Sequence, residues 1–386
     1  MNTPHKIIQI AIDARFYGPE QGGIGRYLQE LLSSLEALNP PAYFKVLLRR
    51  SNWNQYQPRN PHFTKILADI PWYGWAEQIS LARILKNQRL DLVHFPHWNI
   101  PLLYRGAFVV TIHDLLLLHY PTTKASTLGP LSYWAKYQAY RFVLGHAARR
   151  ARHILADSNF TKQDIIKTLR VPAKKISVAY PVPAANVKNA QNSSAKEREL
   201  LSKRYGITKP YTLYVGVAFP HKNLPRLLAA WEQVASKNNH TRQLVLVGKK
   251  NYFYEELLRG PLHKMAGSVI YTDFVTDSEL PVLYRNAELY VFPSLYEGFG
   301  LPPLEALQYG VPVVSSNQTA LPEVLQNAAL YVDPQNTTAL AEAIERGLND
   351  QKLRQKLVAA GHTVYPQYQG VGLAKKAWEI YQNSVY

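Results

Sequence analysis

Two carboxylates eight positions apart, Glu297 and Glu305, enclose two glycines and two prolines in the segment SLYEGFGLPPLEALQYGVPVV at 294–314. The apolar run 289–292 before it has the pattern of a strand. Residues 293–300 then read as the loop leaving that strand, and Pro302-Pro303 as the first turn of a helix, where missing N–H donors are tolerated. This order points the amides of Gly298, Phe299, Gly300 and Leu301 at a bound diphosphate, with no glycine side chain in the way. A carboxylate facing a diphosphate is repelled by it but accepts hydrogen bonds from hydroxyls. The two glutamates therefore suit the two sugars, ribose and transferred sugar, of one nucleoside diphosphate sugar. On folding grounds alone Glu305 merely favours a helix N-terminus, which leaves Glu297 and the glycines unexplained.

Other residues at expected strand ends carry related chemistry. Lys222, in GVAFPHKNLPRLL, precedes a helix for which Asn223 is the expected N-cap, and a lysine there opposes the helix dipole unless an anion sits between them. Gly248 ends the run LVLVG, with Lys249 and Lys250 beside it. Gly23 and Gly25 belong to a glycine-rich turn at 22–25, between an apolar run and a helix. Its amides could approach an anion, and the competing reading is a plain tight turn. That turn is not the GxGxxG fingerprint, because Leu28 occupies the third glycine's place, and the chain has no GxxxxGK[ST] segment. The run 108–112 ends in His113-Asp114, an imidazole and a carboxylate suited to hydrogen bonding or proton transfer, or to a structural role satisfied by a backbone carbonyl. His94 and His97 lack a nearby third ligand and read as structural.

These residues need a scaffold that gathers strand ends. Short apolar runs at 7–11, 44–48, 90–94, 108–112 and 153–156 alternate with helical or loop-like sequence, which implies right-handed crossovers and a parallel sheet. A polar, Asn/Ser-rich stretch follows from about 182 to 202. The alternation then restarts, with strands at 211–215, 243–247, 268–271, 288–292 and 311–315 and helices at 224–236, 252–266, 279–285 and after Pro303. The expected organisation is α/β: an acceptor-side Rossmann-like domain at 1–182, a connection at 183–207, a nucleotide-sugar-binding Rossmann-like domain at 208–365, and a C-terminal helix at 366–386 that crosses back to the first domain. Ligands of such doubly wound sheets bind where the strand order reverses, so the parallel sheets are expected to face a central cleft.

The 386-residue chain exceeds the size of one ordinary core, and its 47% hydrophobic and 18% charged residues place it in the globular class. With no cysteine, disulfides, thiolate metal sites and cysteine nucleophiles are excluded. The N-terminus lacks the pattern of a signal peptide, and no stretch is apolar for the ~18 residues of a membrane span. The expectation is a cytoplasmic protein, soluble or peripheral on the inner membrane face. A net charge of +17 is concentrated in the first 182 residues, with 23 basic and 10 acidic side chains, which favours anionic partners.

The segment from Glu297 to Glu305 resembles the E-x7-E motif of the retaining glycosyltransferases of family GT4, which have the GT-B fold. The resemblance spans nearly the whole chain in order: GGIGRY, TIHDLLLLHYP, ADSNFT, VGVAFPHKNLPRLL, LVLVGK, ELPVLYRNAELYVFPSLYEGFGLPPLEAL and GVPVVSSNQTALPEV. It implies that Lys222 binds the donor diphosphate, Glu305 the ribose, and Glu297 with the 298–301 amides the sugar and phosphates. It further implies that His113 meets the transferred sugar, that Gly23 and Gly25 close on the donor phosphates, and that Gly248, Phe274 and Val275 border a nucleobase pocket. Glu297, His113 and Lys222 are the catalytic candidates. Where many members carry arginine after the strand glycine, this chain has Val217. Either another cation, Arg26 or His221, replaces it, or the phosphates are held more weakly.

The resemblance implies retaining transfer of a mannosyl or related sugar from a GDP-sugar through an oxocarbenium-like transition state. The product class is cell-surface polysaccharide. No cofactor is expected, and the absence of a DxD motif fits metal-independent transfer. The acceptor is expected to be a glycan or a polyprenyl-diphosphate-linked glycan. In YWAKYQAYRFVLGHAARRAR, aromatics interleave with Lys136, Arg141, Arg149, Arg150 and Arg152, a candidate face for an anionic membrane or a lipid diphosphate. A sheet-covering helix with a solvated basic side reads equally well. Competing functions are a sugar-nucleotide epimerase or glycan phosphorylase on the same fold, or a basic nucleic-acid-binding protein. Nothing in the chain resembles a reading helix or a base-stacking platform, so no nucleic-acid partner is expected.

Overall fold

The structure, a computed structural model, describes residues 7–122, 129–183, 195–237 and 239–385. The chain divides into two compact units, the first taking residues up to Leu118, those from 129 to Val182 and those from Tyr368 onward, and the second taking the rest.

The first unit is built on seven parallel strands: β1 (Ile8–Asp13), β2 (Ala42–Leu48), β3 (Phe63–Leu67), β4 (Leu92–Phe95), β5 (Phe108–Ile112), β6 (His153–Ala156) and β7 (Ile176–Val178). They lie in the order β3-β2-β1-β4-β5-β6-β7, so the winding reverses between β1 and β4. Alternate residues of each strand enter different cores, as a sheet covered on both faces requires. Ile10 and Ile12 pack with Leu28, Leu31, Leu32 and Leu35 of the helix Gly22–Leu38 and with Ala377 and Tyr381 of the last helix, Gly370–Val385. Ala11, Val110 and Ile112 face the other way, with Leu144, Ala147 and Ala148 of the helix Pro130–Arg150.

Residues 22–25 differ from the expected loop, because the helix already starts at Gly22 and they form its first turn. The first turn lacks intrahelical acceptors for its N–H groups, so poor helix formers are tolerated there. Gly25 is required by close approach: a Cβ would lie 1.9 Å from the Gly18 carbonyl oxygen.

The second unit repeats the architecture with β8 (Tyr211–Val215), β9 (Gln243–Val247), β10 (Val269–Tyr271), β11 (Leu289–Phe292), β12 (Val313–Ser316) and β13 (Ala329–Val332), all parallel, in the order β10-β9-β8-β11-β12-β13. The helix Leu224–Lys237 buries Leu224, Leu227, Leu228, Trp231 and Val234, a single face at helical spacing, and packs against the helix Thr337–Asn349. The expected helix over 252–266 is broken at Gly260 into Tyr252–Arg259 and Pro261–Lys264. Of the expected interdomain connection, 184–194 lie outside the described residues; the helix Ala195–Tyr205 belongs to the second unit.

Candidate active site

In the second unit the winding reverses between β8 and β11, which pair through Leu213↔Tyr290. The loops leaving these two strands are laced together. Leu295 donates its N–H to the His221 carbonyl at 2.7 Å, and Asn223 Nδ2 donates to the carbonyls of Pro293 at 3.1 Å and Pro334 at 2.7 Å. Asn223 also accepts on Oδ1, the atom an N-cap residue uses, from Arg226 Nη1 at 3.2 Å. It takes a left-handed φ of 61° and spends its amide tying loops.

This lacing sets Lys222 Nζ 5.2 Å from the centre of the Phe292 ring and 2.6 Å from Glu297 Oε1. Both side chains are mostly buried, 15% and 12% exposed, so the pair is less screened than a surface salt bridge. Glu297 is fixed from behind by its own N–H, which donates to Thr319 Oγ1 at 3.0 Å.

Three residues on, Gly300 has a φ of 98°, which favours glycine, and stands as the N-cap of the helix Leu301–Gln308 with no side chain capping it. Pro302 and Pro303 fall in the first turn, as their missing N–H groups allow. Phe299 and Glu305 are buried, Leu301 is half-buried, and the Glu305 carboxylate accepts from the Tyr284 hydroxyl at 2.9 Å. The sequence motif thus places Lys222, Glu297, the 298–301 backbone and Glu305 in one region.

His221 does not supply the missing cation. Burial, and then the adjacent Lys222, hold its pKa at about 4, so the ring is neutral at pH 7. Beside the site, Gly248 donates its N–H to the Asp273 carbonyl at 3.3 Å and accepts from the Tyr271 hydroxyl at 3.0 Å. Asp273 Oδ1 also accepts from the Phe274 N–H at 2.8 Å. Phe274 is 64% exposed and Val275 buried, so of these expected nucleobase contacts Phe274 leaves its ring open to solvent. A cavity of about 500 Å³ lined by Pro312, Arg354, Val358 and His362 lies at the opposite, amino-terminal edge of this sheet and plays no part in the site.

In the first unit, His113 and Asp157 emerge side by side because β5 and β6 pair with Ile112↔Ala156 in register. His113 Nδ1 lies 2.8 Å from Asp157 Oδ2 and Nε2 lies 2.9 Å from the Pro96 carbonyl oxygen. Both ring nitrogens are therefore engaged within the unit. His94 is fully buried between the Tyr381 and Thr111 hydroxyls at 2.7 and 2.8 Å, and burial lowers its pKa to about 3. Behind the end of β1, Arg15 is buried against Asp13 at 2.7 Å and Glu77 at 2.6 Å, and Glu77 also accepts from Asn99 at 2.7 Å. Gly23 is exposed, with open space where a Cβ would point.

On the helix Pro130–Arg150, Lys136, Arg141 and Arg149 are exposed, together with Trp134 and Phe142. Arg150 leaves the expected basic face: its guanidinium donates to the Gly106 carbonyl at 3.4 Å and lies 5.9 Å over the Phe108 ring. No described helix is long and apolar enough to cross a membrane.

Sequence reasoning did not single out Asp157, Tyr284, Thr319 or Asp273. Asp157 opens the DSNFT part of ADSNFT and Tyr284 lies in LYRNAELYVFP, yet neither string says which partner the side chain meets. Their roles follow from strand register and loop packing.

Comparison with known proteins agrees with this architecture. Residues 21–182 match the family described as Glycosyltransferase Family 4, and residues 197–364 the family described as Glycosyl transferases group 1. O-antigen chain mannosyltransferase B of Escherichia coli is 31% identical over 72% of this chain and 71% of its own length. O-antigen chain mannosyltransferase RfbU of Salmonella typhimurium is 29% identical over 74% and 73%. The crystal structure of HepE from Anabaena in complex with UDP-glucose superposes with a TM-score of 0.73 at 16% identity, covering 98% of this chain and all of that one, a likeness in fold. With two parallel-sheet α/β units of the GT-B kind and both halves matched by glycosyltransferase families, the chain belongs to the group 1, family 4 glycosyltransferases.

Proposed function

We propose that this glycosyltransferase moves a mannosyl or related sugar from a nucleoside diphosphate sugar, a GDP-sugar in the first instance, to a glycan or polyprenyl-diphosphate-linked acceptor in cell-surface polysaccharide synthesis, with retention of anomeric configuration. The observation that carries the reading is the Lys222–Glu297 pair set beside the start of the helix Leu301–Gln308, where glycine is the N-cap residue, with Glu305 buried one turn further on. The choice of mannose and of polysaccharide follows the two O-antigen mannosyltransferase relatives.

In this reading Lys222 and the 298–301 amides take the charge that builds on the departing diphosphate as the anomeric carbon becomes oxocarbenium-like. Such preorganised donors act strongly where water is excluded. Glu297, relieved of Lys222 by the diphosphate, accepts from hydroxyls of the transferred sugar. Glu305, oriented by Tyr284, accepts from the ribose. The exposed Phe274 ring stacks the base, and His113 meets the transferred sugar. Gly23, in the first turn of its helix, offers its amide to the phosphates, whereas Gly25 is buried against the Gly18 carbonyl and its N–H is taken up by the helix. The positive charge comes from protein groups, so transfer proceeds without a metal ion.

The exposed Lys136, Arg141 and Arg149 with Trp134 and Phe142 combine basic and aromatic groups as a peripheral helix on an acidic membrane does. Flotation with acidic but not neutral liposomes is the expected result, and binding to neither removes the membrane part of the proposal.

The functional reading is tested by incubating the protein with GDP-mannose and a lipid-linked glycan, with and without a chelator, and assigning the anomer of the product by NMR. Transfer with retention that survives chelation supports it. Wild-type rates in both Lys222→Ala and Glu297→Ala would sink the site assignment.

A further inference from the structure

His113 is held unlike the other histidines of its unit. The two nitrogens of His94 face hydroxyls, which can donate or accept, so a neutral ring satisfies both contacts. His113 faces two acceptors instead, the Pro96 carbonyl oxygen at 2.9 Å from Nε2 and the Asp157 carboxylate at 2.8 Å from Nδ1. A carbonyl oxygen only accepts, so Nε2 carries a hydrogen, and a second proton lies in the contact between Nδ1 and Oδ2. The contact is built by the sheet, because the paired Ile112 and Ala156 precede the two residues. It is braced by Thr161, whose hydroxyl donates to the His113 carbonyl at 3.3 Å, and by the Tyr27 ring, edge-on to the imidazole at 4.9 Å.

Asp157 is 6% exposed, and its Oδ1 has no hydrogen-bond partner. A buried carboxylate with half its accepting capacity unused is costly. A purely structural anchor for a neutral ring needs only an acceptor or donor without charge, so the carboxylate points to a charged partner. The groups facing the ring are Asp157 from the end of β6, Asp114 from the end of β5, His94 and His97 from the end of β4, and Tyr27 from the helix Gly22–Leu38. Both of those histidines are neutral at pH 7, since burial holds each at about 3.

We propose that Asp157 is a positioning residue for His113: by accepting from Nδ1 it keeps the ring doubly protonated, so that this unit brings to sugar transfer a fixed positive charge, opposite in sign to the charge that builds on the departing diphosphate, and not a proton acceptor. The inference rests on the proposal that His113 takes part in transfer. Burial alone lowers the pKa of the ring, but Asp157, then Asp114 and the Pro96 carbonyl, outweigh it and the net direction is upward. Burial also raises the pKa of Asp157, against the pull of His113, so the proton belongs to the pair.

The test is ¹⁵N NMR of the imidazoles in the full-length protein, which needs neither substrate nor a variant. At pH 7.5 both His113 nitrogens are expected in the protonated range, and an unprotonated Nδ1 in the wild type overturns the proposal. In Asp157→Asn the ring is expected to be neutral at the same pH with Nε2 still protonated. Its kcat is then expected to fall about a hundredfold, the scale of losing one preorganised electrostatic contact, with a smaller change in donor KM. Asp157→Glu is expected to restore much of the rate. Asp157→Asn with a neutral ring and an unchanged kcat overturns the role in transfer. A wild-type enzyme that transfers no sugar contradicts the functional reading instead, and leaves the protonation result standing.

Discussion

Lys222 Nζ and Glu297 Oε1 stand 2.6 Å apart, and this one contact joins the loop after β8 to the loop after β11 through opposite charges. A diphosphate arriving at Lys222 must draw it away from Glu297, and the carboxylate left behind repels the incoming charge. Glu297→Gln is therefore expected to bind GDP more tightly, by roughly tenfold or about 1.4 kcal/mol, while sugar transfer is lost. Calorimetric titration of GDP into both proteins reads the difference. Equal or weaker affinity in the variant contradicts the partner exchange.

Tyr284 supports Glu305 through the 2.9 Å hydrogen bond of its hydroxyl. Removing that hydroxyl in Tyr284→Phe leaves a buried carboxylate short of a donor, with a stability cost of about 2 kcal/mol. The donor KM is expected to rise more than kcat falls, because Glu305 is assigned to the ribose and not to the reacting centre. A fall in kcat alone argues against that assignment.

Arg15 pairs with Asp13 and Glu77 where all three side chains are almost fully buried. Arg15→Met strands two buried carboxylates, and breaking such a pair typically costs about 3–5 kcal/mol. Urea unfolding is expected to show that loss in the first unit, and GDP affinity is expected to change far less than in Lys222→Ala, because Lys222, Glu297 and Glu305 all lie in the second.

His94, His97 and His221 are held neutral, at about 3, 3 and 4. As pH falls below about 6.5 the unfolded chain takes up protons at these rings and the folded chain does not, so stability falls toward acid. His113 works in the opposite sense: its raised pKa contributes stability below about 6.5 that is lost as pH rises through its folded value. His146 and His153 are lowered too, burial first, so five rings act against one; the urea midpoint is expected to fall from pH 7 to pH 5, and His94→Gln is expected to flatten it. A midpoint that rises toward acid contradicts these neutral states.

The alternation of strand and helix was legible because central parallel strands are continuous apolar runs: 108–112, 153–156, 211–215 and 243–247 coincide with β5, β6, β8 and β9. The strands left unread, β3, β7 and β13, are all sheet edges, short and only partly buried, so their sequences carry less of that signal. The motif placed Lys222, Glu297 and Glu305 in one unit because they follow neighbouring strands. The partners of these residues were not legible. Asp157 meets His113 only through the register of β5 and β6, 44 positions apart, and Tyr284 meets Glu305 across 21. Burial also reversed two readings, leaving His221 neutral and folding Arg150 onto Gly106 and Phe108.

The central claim is that the second unit binds a nucleoside diphosphate sugar through Lys222. It is tested most directly by titrating GDP-mannose and UDP-glucose into the wild type and Lys222→Ala under calorimetry. Saturable binding of one of these donors by the wild type, lost in the variant with its melting curve unchanged, is the predicted result. Binding of neither donor by the wild type, or equal binding by the variant, would contradict it.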